Sequence, residues 1–161
     1  MKVTATHRYD CSIDELYELF TQKQYYLDKF DACGARNVEI LEAADTDEGF
    51  VVESQREVPA DVPGVLKSFL GEWNTITQSE VWDGEPGDEY YNDFEIAAEG
   101  VPVEMTGTMN LMPDGDGCVN EIEIDISCAI PLVGKKLAQF VASDTEKTLA
   151  AEYAYTKKQV G

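Results

Sequence analysis

The stretch that decides the fold is residues 121–141, which read EIEIDISCAIPLVGKKLAQFV. Apolar residues occupy every second position from Ile122 to Ile130, and acidic or small residues fill the positions between them. This period of two predicts a strand with one face in a core and the other in water. Pro131 ends the strand, and the pattern then takes the helical period up to residue 160. The sequence therefore predicts a long strand followed directly by a long helix.

The period of two also extends upstream, over most of residues 36–130. Short runs rich in aspartate and glycine interrupt it at residues 45–49, 83–87 and 114–117, as is typical of hairpin turns. A first strand over residues 2–10, a helix that begins after Ser12 and a second helix over residues 22–31 precede this region. We therefore expect an antiparallel meander of six or seven strands, with two short helices after the first strand.

The C-terminal helix, predicted over residues 132–160, has an apolar stripe that thins in its middle. At 1.5 Å per residue this helix is about 43 Å long, enough to cross the whole domain. Residues 142–148 are small or polar. If a curved sheet wraps around the helix, this gap leaves space, and such space is typical of a ligand site. Alternatively, the middle of the helix is a solvated face and large sheet residues fill the gap.

The order of elements resembles the helix-grip fold of the START-like (SRPBCC) superfamily, the Bet v-type fold. The segment IPLVGKKL at residues 130–137 and the later AAE at residues 150–152 are similar to the domain-of-unknown-function family 2505. The resemblance covers essentially the whole chain. It implies an α+β fold in which a curved antiparallel sheet of six or seven strands wraps around the long C-terminal helix. It also implies a deep cavity between sheet and helix for lipids, sterols, polyketides or other apolar molecules, and no fixed catalytic residues.

Length and charge limit the partners. The chain has 161 residues, of which 43% are hydrophobic, and this suits one domain over residues 1–161. Lysine and arginine total 12, aspartate and glutamate total 32, and the formal net charge is -20. This excess repels phosphate, so we expect neither nucleic acid nor an anionic membrane surface as the main partner.

The scarcity of histidine excludes several enzyme classes. With His7 alone, a single chain cannot build a zinc motif with two histidines. The four cysteines, Cys11, Cys33, Cys118 and Cys128, lack two-residue spacing and are typical of buried or hairpin positions in a reducing compartment. We expect no metal, no cofactor and no catalytic residue. No apolar stretch is long enough for a signal core or a membrane span, which favours a soluble cytoplasmic protein.

Arg56 is a candidate anchor for the polar head group of a ligand. By alternation it shares a strand face with Val52 and Val58, so its guanidinium is expected to point inward. A buried arginine needs a carboxylate or an anionic ligand. Alternatively, an edge position near Pro59 turns it to solvent, or it pairs with one of the many acidic residues.

The other candidate ligand-binding residues are aromatic, methionine or helix residues that the predicted strands and helix direct inward. They are Trp73, Tyr90, Phe94, Met105, Met109, Val141, Thr145 and Thr148. Methionine adapts to irregular apolar shapes and suits a promiscuous pocket, although such a set is also typical of a plain core. Gly107, inside a predicted strand, indicates a bend or a close approach.

Two further features allow a functional and a structural interpretation. Residues 61–71 carry four apolar residues between Gly64 and Gly71, which suits either a lid over the cavity or an ordinary crossover segment. His7 lies on the first strand, where a satisfied or exposed side chain is the expectation and proton transfer the alternative.

The resulting hypothesis is a carrier or sensor that binds an apolar or amphipathic small molecule, without covalent chemistry. The alternative is a cyclase- or hydrolase-like enzyme that uses the same cavity, with Tyr90, Arg56 or an inward carboxylate as its acid or base. A titratable residue deep in the cavity with a shifted pKa would favour that alternative. A third hypothesis, a protein-docking module, needs an exposed apolar patch on the outer sheet face.

Overall fold

A computed structural model describes residues 1–60, 64, 67 and 71–160 of the chain. The strands are β1 (Lys2–Tyr9), β2 (Arg36–Thr46), β3 (Gly49–Pro59), β4 (Trp73–Gly84), β5 (Tyr90–Ala98), β6 (Val103–Asp114) and β7 (Gly117–Cys128). The helices are α1 (Ile13–Phe20), α2 (Lys23–Ala32) and α3 (Gly134–Val160). The predicted lid over residues 61–71 lies outside the described residues, apart from Gly64, Lys67 and Gly71.

The strands form one antiparallel sheet in the order β1-β7-β6-β5-β4-β3-β2. Strands β2 to β7 follow one another as a meander, and β1 adds to the outer edge of β7 with Lys2 opposite Asp125 and Tyr9 opposite Cys118. The predicted fold class, an antiparallel sheet with a long C-terminal helix and two short helices after the first strand, is confirmed.

The start of α3 differs from the prediction by two residues. The helix begins at Gly134 and not at residue 132. Leu132 has a φ of 72°, in the left-handed region that interrupts a right-handed helix. The chain therefore turns once more after Pro131 before the helix can begin.

Two hydrophobic clusters lie on the helix-facing side of the sheet. One, the apolar core, joins residues of α3 such as Leu137 to β7 residues such as Ile124. The other, the aromatic core, joins α1 and α2 to the sheet through residues such as Phe20, Tyr26 and Trp82. Helices α1 and α2 therefore bury their apolar sides together in the aromatic core, whereas α3 contributes its buried aliphatic residues to the apolar core.

Gly107 makes the close approach that the sequence predicts. The Phe94 ring, on the neighbouring strand, occupies the space that a side chain at Gly107 would need, and Glu123 O lies 2.8 Å from the position of such a Cβ atom. The absence of a side chain at Gly107 therefore leaves room for the Phe94 ring within the apolar core.

We expect Gly107→Ala to lower the free energy of unfolding by about 1–3 kcal/mol, because the new methyl group must displace the Phe94 ring. Urea unfolding followed by tryptophan fluorescence measures the change. Gly71→Ala is the control, since the nearest atom to its new Cβ among the described residues, Trp73 O, lies 3.8 Å away. Equal stability of the two variants would contradict this account of the Phe94 packing.

Candidate functional site

A diagonal band of buried polar residues crosses the helix-facing side of the sheet. It consists of Ser54, Arg56, Gln78, Glu80, Asn92, Asn120 and His7. The strand register aligns them, since Ser54 lies opposite Gln78 and Asn120 lies opposite His7. The apolar core lies on one side of this polar band and the aromatic core on the other. The polar band therefore separates the hydrophobic interior into two cores.

Helices α2 and α3 bring two more charged residues over the polar band. Lys29 Nζ lies 3.7 Å from Glu152 Oε1, and both side chains are largely buried. The ammonium group also lies 4.7 Å from the ring centroid of Phe30 and 5.0 Å from that of Tyr26. Aromatic faces stabilise a cation in such positions, so Lys29 is held by a carboxylate and by π electrons together.

A cavity of about 40 Å³ lies between the sheet, α2 and α3. Its wall consists of His7, Tyr9, Phe20, Tyr25, Tyr26, Lys29, Glu80, Trp82, Met109, Asn120, Ile122, Leu149, Glu152, Tyr153 and Thr156. The volume suffices for about three water molecules or for one small polar group. The cavity therefore fits the head of an amphipathic molecule, whereas its tail requires additional room.

Glu80 is the central acidic group of the cavity wall. Its side chain is 3% exposed, and Oε1 accepts a hydrogen bond of 3.1 Å from Asn92 Nδ2. Its second oxygen, Oε2, has no hydrogen-bond partner among the described residues. Burial raises the pKa of the Glu80 carboxyl group, and the charge of Lys29 and the Asn92 hydrogen bond oppose that rise. Asn120 Oδ1, also in the wall, likewise has no partner within the described part of the chain.

Arg56 is buried and points inward, as the alternation predicts. Its guanidinium carbon lies 4.0 Å from the ring centroid of Phe30, and burial lowers its pKa. Nη1 has no hydrogen-bond partner among the described residues. Arg56 belongs to the polar band but not to the cavity wall, so it adjoins the cavity from the side of β3.

His7 lies at the far end of the polar band and in the cavity wall. Its ring stacks on Tyr153 of α3 at a centroid distance of 4.2 Å, and Tyr153 Oη donates to the backbone oxygen of Arg8. Burial lowers the pKa of His7, so the neutral imidazole is favoured. Helices α2 and α3 are also joined by a hydrogen bond of 2.6 Å between Tyr25 Oη and Thr156 Oγ1.

The family described as protein of unknown function DUF2505 matches residues 4–160 of the chain. The chain belongs to this family. No curated protein matches the sequence.

Solved structures share the fold of this DUF2505 protein at low sequence identity. The protein TTHA0849 from Thermus thermophilus has a TM-score of 0.68 and 17% identity, covering 99% of this chain and 97% of its own. A START superfamily protein from Mycobacterium smegmatis has a TM-score of 0.62 and 14% identity, covering 99% and 96%. A STAR-related lipid transfer protein from Xanthomonas axonopodis has a TM-score of 0.64 and 16% identity, covering 97% and 85%. The DUF2505 protein therefore has the START-like, helix-grip fold. Within the described residues, its helices are too short or too polar to cross a membrane.

The structure distributes the predicted ligand-binding residues over several places. Met109 lines the cavity, whereas Phe94, Met105 and Val141 belong to the adjoining apolar core or pack against it. Tyr90 lies in the aromatic core, where its hydroxyl donates to Asp14 Oδ1 at 2.9 Å.

Three of the predicted residues lie away from the cavity wall. Thr145 is half-buried on α3, and Thr148 is exposed, because the helix turns that position towards solvent. Thr148 therefore does not line the helix–sheet space. Trp73 is 37% exposed at the start of β4, with the guanidinium of Arg36 3.7 Å from its ring centroid.

Sequence reasoning missed most of the cavity wall. The inward orientation of Glu80 could have been predicted, because Glu80 lies two residues before Trp82 on β4 and therefore on the same face of the strand. Lys29 and Glu152 carried no such signal, since they come from two helices whose relative position the sequence pattern does not fix.

We expect Glu80→Gln to raise the free energy of unfolding at about pH 8 by about 1–3 kcal/mol, because a buried carboxylate loses its hydration on folding and an amide does not carry that charge. The raised pKa means that the folded wild type holds the proton more tightly than the unfolded chain. Wild-type stability therefore falls as pH rises above the ordinary value of 4.5, and the two proteins converge at about pH 4.

Urea unfolding across this pH range makes the comparison. Glu95→Gln is the control, since Glu95 is exposed on the neighbouring strand and its replacement should change the stability by less than about 0.5 kcal/mol. If Glu80→Gln and the wild type have the same free energy of unfolding at every pH, the pKa of Glu80 does not differ between the folded and the unfolded chain.

Proposed function

We propose that this protein binds an amphipathic small molecule between the sheet and α3, with the polar end of the ligand in the cavity and its apolar part against the apolar core. The observation that carries the proposal is the pair of buried oxygens in the cavity wall, Glu80 Oε2 and Asn120 Oδ1, which lack partners among the described residues.

Unpartnered buried polar atoms are costly. A buried acceptor without a hydrogen bond costs about 1–3 kcal/mol, and proteins retain such groups mainly where another molecule completes them. Glu80 and Asn120 line the same cavity, as does Trp82, whose Nε1 also has no partner among the described residues. Arg56 Nη1, outside the wall, is a further buried atom without a partner in that part of the chain. A ligand head that enters the cavity can satisfy several of these atoms at once.

The apolar part of the ligand has a natural place next to the cavity. Met105, Met109, Phe140 and Val141 are only partly buried and pack against the apolar core, so they can shift to admit an alkyl or ring system. Each Å² of apolar surface removed from water contributes about 25 cal/mol. The name of the Xanthomonas axonopodis protein, a lipid transfer protein with the same fold, supports an apolar ligand for this chain as well. Of the residues predicted to bind the ligand, Arg56, Phe94, Met105, Met109 and Val141 stay part of this proposal, whereas the exposed Thr148 does not.

Native mass spectrometry of the purified protein, before and after extraction with organic solvent, tests the proposal. We expect a discrete mass above that of the 17.9 kDa chain, which extraction removes. Leu149→Trp should abolish this extra mass, because Leu149 lines the cavity and a larger side chain fills it. Thr148→Trp, the same change at the neighbouring exposed position, should retain it.

The proposal fails if the wild-type protein carries no extra mass and takes up none from a lipid extract. It also fails if Leu149→Trp, shown to be folded by circular dichroism, carries the same mass as Thr148→Trp. The first result would show that the protein binds no such ligand. The second would show that the ligand binds outside the cavity.

A second candidate function is acid–base chemistry on the bound molecule, because Glu80 is a titratable group in the cavity wall with a raised pKa. In that case Glu80→Gln should accumulate a bound molecule whose mass differs from that found on the wild type. Identical bound masses on the two proteins would leave binding as the function.

A further inference from the structure

We propose that the head group of the ligand is a primary ammonium, which donates to Glu80 Oε2 and Asn120 Oδ1 in the aromatic-lined cavity. This inference deepens the proposed function and depends on it. The chemical class of ligand is an amphipathic amine, with one alkyl or ring portion and one cationic nitrogen.

Among the buried side-chain atoms of the cavity wall that have no hydrogen-bond partner within the described residues, acceptors outnumber donors: Glu80 Oε2 and Asn120 Oδ1 accept, and Trp82 Nε1 donates. Glu80 Oε2 and Asn120 Oδ1 are acceptors, both belong to side chains that are at least nine-tenths buried, and both lack partners among the described residues. An ammonium group carries only donors and can bond to both oxygens at once. A carboxylate carries only acceptors, so it would meet these two oxygens with repulsion.

The wall also provides the surroundings that a cation needs. Six aromatic residues line the cavity: Tyr9, Phe20, Tyr25, Tyr26, Trp82 and Tyr153. Lys29 also lines the cavity, and its ammonium lies within 4.7–5.1 Å of three ring centroids. The cavity wall thus already stabilises one buried ammonium, that of Lys29, with aromatic faces and the carboxylate of Glu152.

The local charges leave Glu80 as the acid without an ion-pair partner. Lys29 pairs with Glu152 at 3.7 Å, whereas Glu80 forms no ion pair within 4.0 Å in the described part of the chain. Lys29 in the wall and Arg56 outside it both repel a cation, but Glu152 compensates the charge of Lys29. With Glu80 ionised, the wall therefore holds two carboxylates and one ammonium. The net charge of -20 adds an attractive field that concentrates cations around the protein.

The groups facing Glu80 define how binding responds to pH. They are Lys29, Tyr25 and Tyr26 from α2, Arg56 from β3, Glu152 and Tyr153 from α3, and His7 and Tyr9 from β1. An ammonium beside Glu80 favours its ionised form, so ligand binding releases a proton wherever the free protein holds Glu80 neutral. Affinity for an amine should therefore increase as the pH rises through the raised pKa of Glu80.

Isothermal titration of the wild-type protein with three ten-carbon probes tests the head group. At about 0.15 M salt, where exposed charges are largely screened, decylammonium should bind at least tenfold more tightly than 1-decanol, and decanoate more weakly than either. Equal binding of decylammonium and 1-decanol, or tighter binding of decanoate, overturns the ammonium assignment and leaves the proposed function standing. Failure of all three probes to bind overturns both.

Two matched variants locate the interaction. Glu80→Gln and Glu95→Gln each remove one negative charge, the first from the cavity wall and the second from the exposed sheet face. We expect Glu80→Gln to lose at least tenfold in decylammonium affinity, to keep its affinity for 1-decanol and to lose most of the increase with pH. Glu95→Gln should bind all three probes like the wild type.

Two results would place the amine elsewhere. An equal loss in Glu80→Gln and Glu95→Gln would attribute the preference to the overall field of the protein. An unchanged pH dependence in Glu80→Gln would attribute it to His7, whose protonation at low pH also repels a cation. If Glu80→Gln does not fold, the head-group comparison on the wild type and on Glu95→Gln still decides the proposal.

Discussion

Charged groups in a protein interior require partners close at hand, and this requirement governs how the helices lie on the sheet. Lys29 from α2 meets Glu152 from α3 directly over the polar band, and the Tyr25–Thr156 hydrogen bond joins the same two helices. Removing either member of the ion pair would leave the other buried and uncompensated. The two helices and the sheet therefore form one unit around the cavity, although α2 and α3 belong to opposite ends of the chain.

The two cores on either side of the polar band differ in how readily their side chains rearrange. The aromatic core packs large rigid side chains, with Trp82 1% exposed and Tyr17 stacked on Tyr90 at 3.7 Å. The apolar core contains aliphatic side chains and, at its margin, the flexible methionines Met105 and Met109. Stacked aromatic rings have a specific geometry and resist rearrangement. Methionine and aliphatic side chains can change conformation at a small cost in free energy. A site between them has one fixed wall and one adaptable wall.

The sequence predicted the architecture well and the cavity poorly, for physical reasons. Alternation along β7 and the turns rich in aspartate and glycine define strands, because each signal is local. Arg56 was also assigned correctly to the inner face from its strand phase. Thr148 was not placed correctly, since a gap in an apolar stripe does not reveal which side of the helix faces the sheet. Lys29 and Glu152 meet only through tertiary packing, and no local pattern encodes that meeting.

The pairing of β1 with β7 has a kinetic consequence. The residues that pair between β1 and β7 are far apart in the sequence. The hydrogen bond from the Met1 amino group to Ile126 O, for example, joins residues 125 positions apart. During synthesis, β1 emerges before the other strands of this sheet and has no neighbour in it until β7 has left the ribosome. The meander from β2 to β7 can form progressively through neighbouring hairpins, whereas β1 must close a long loop. We therefore expect β1 to join the sheet after strands β2 to β7, although it is made before them.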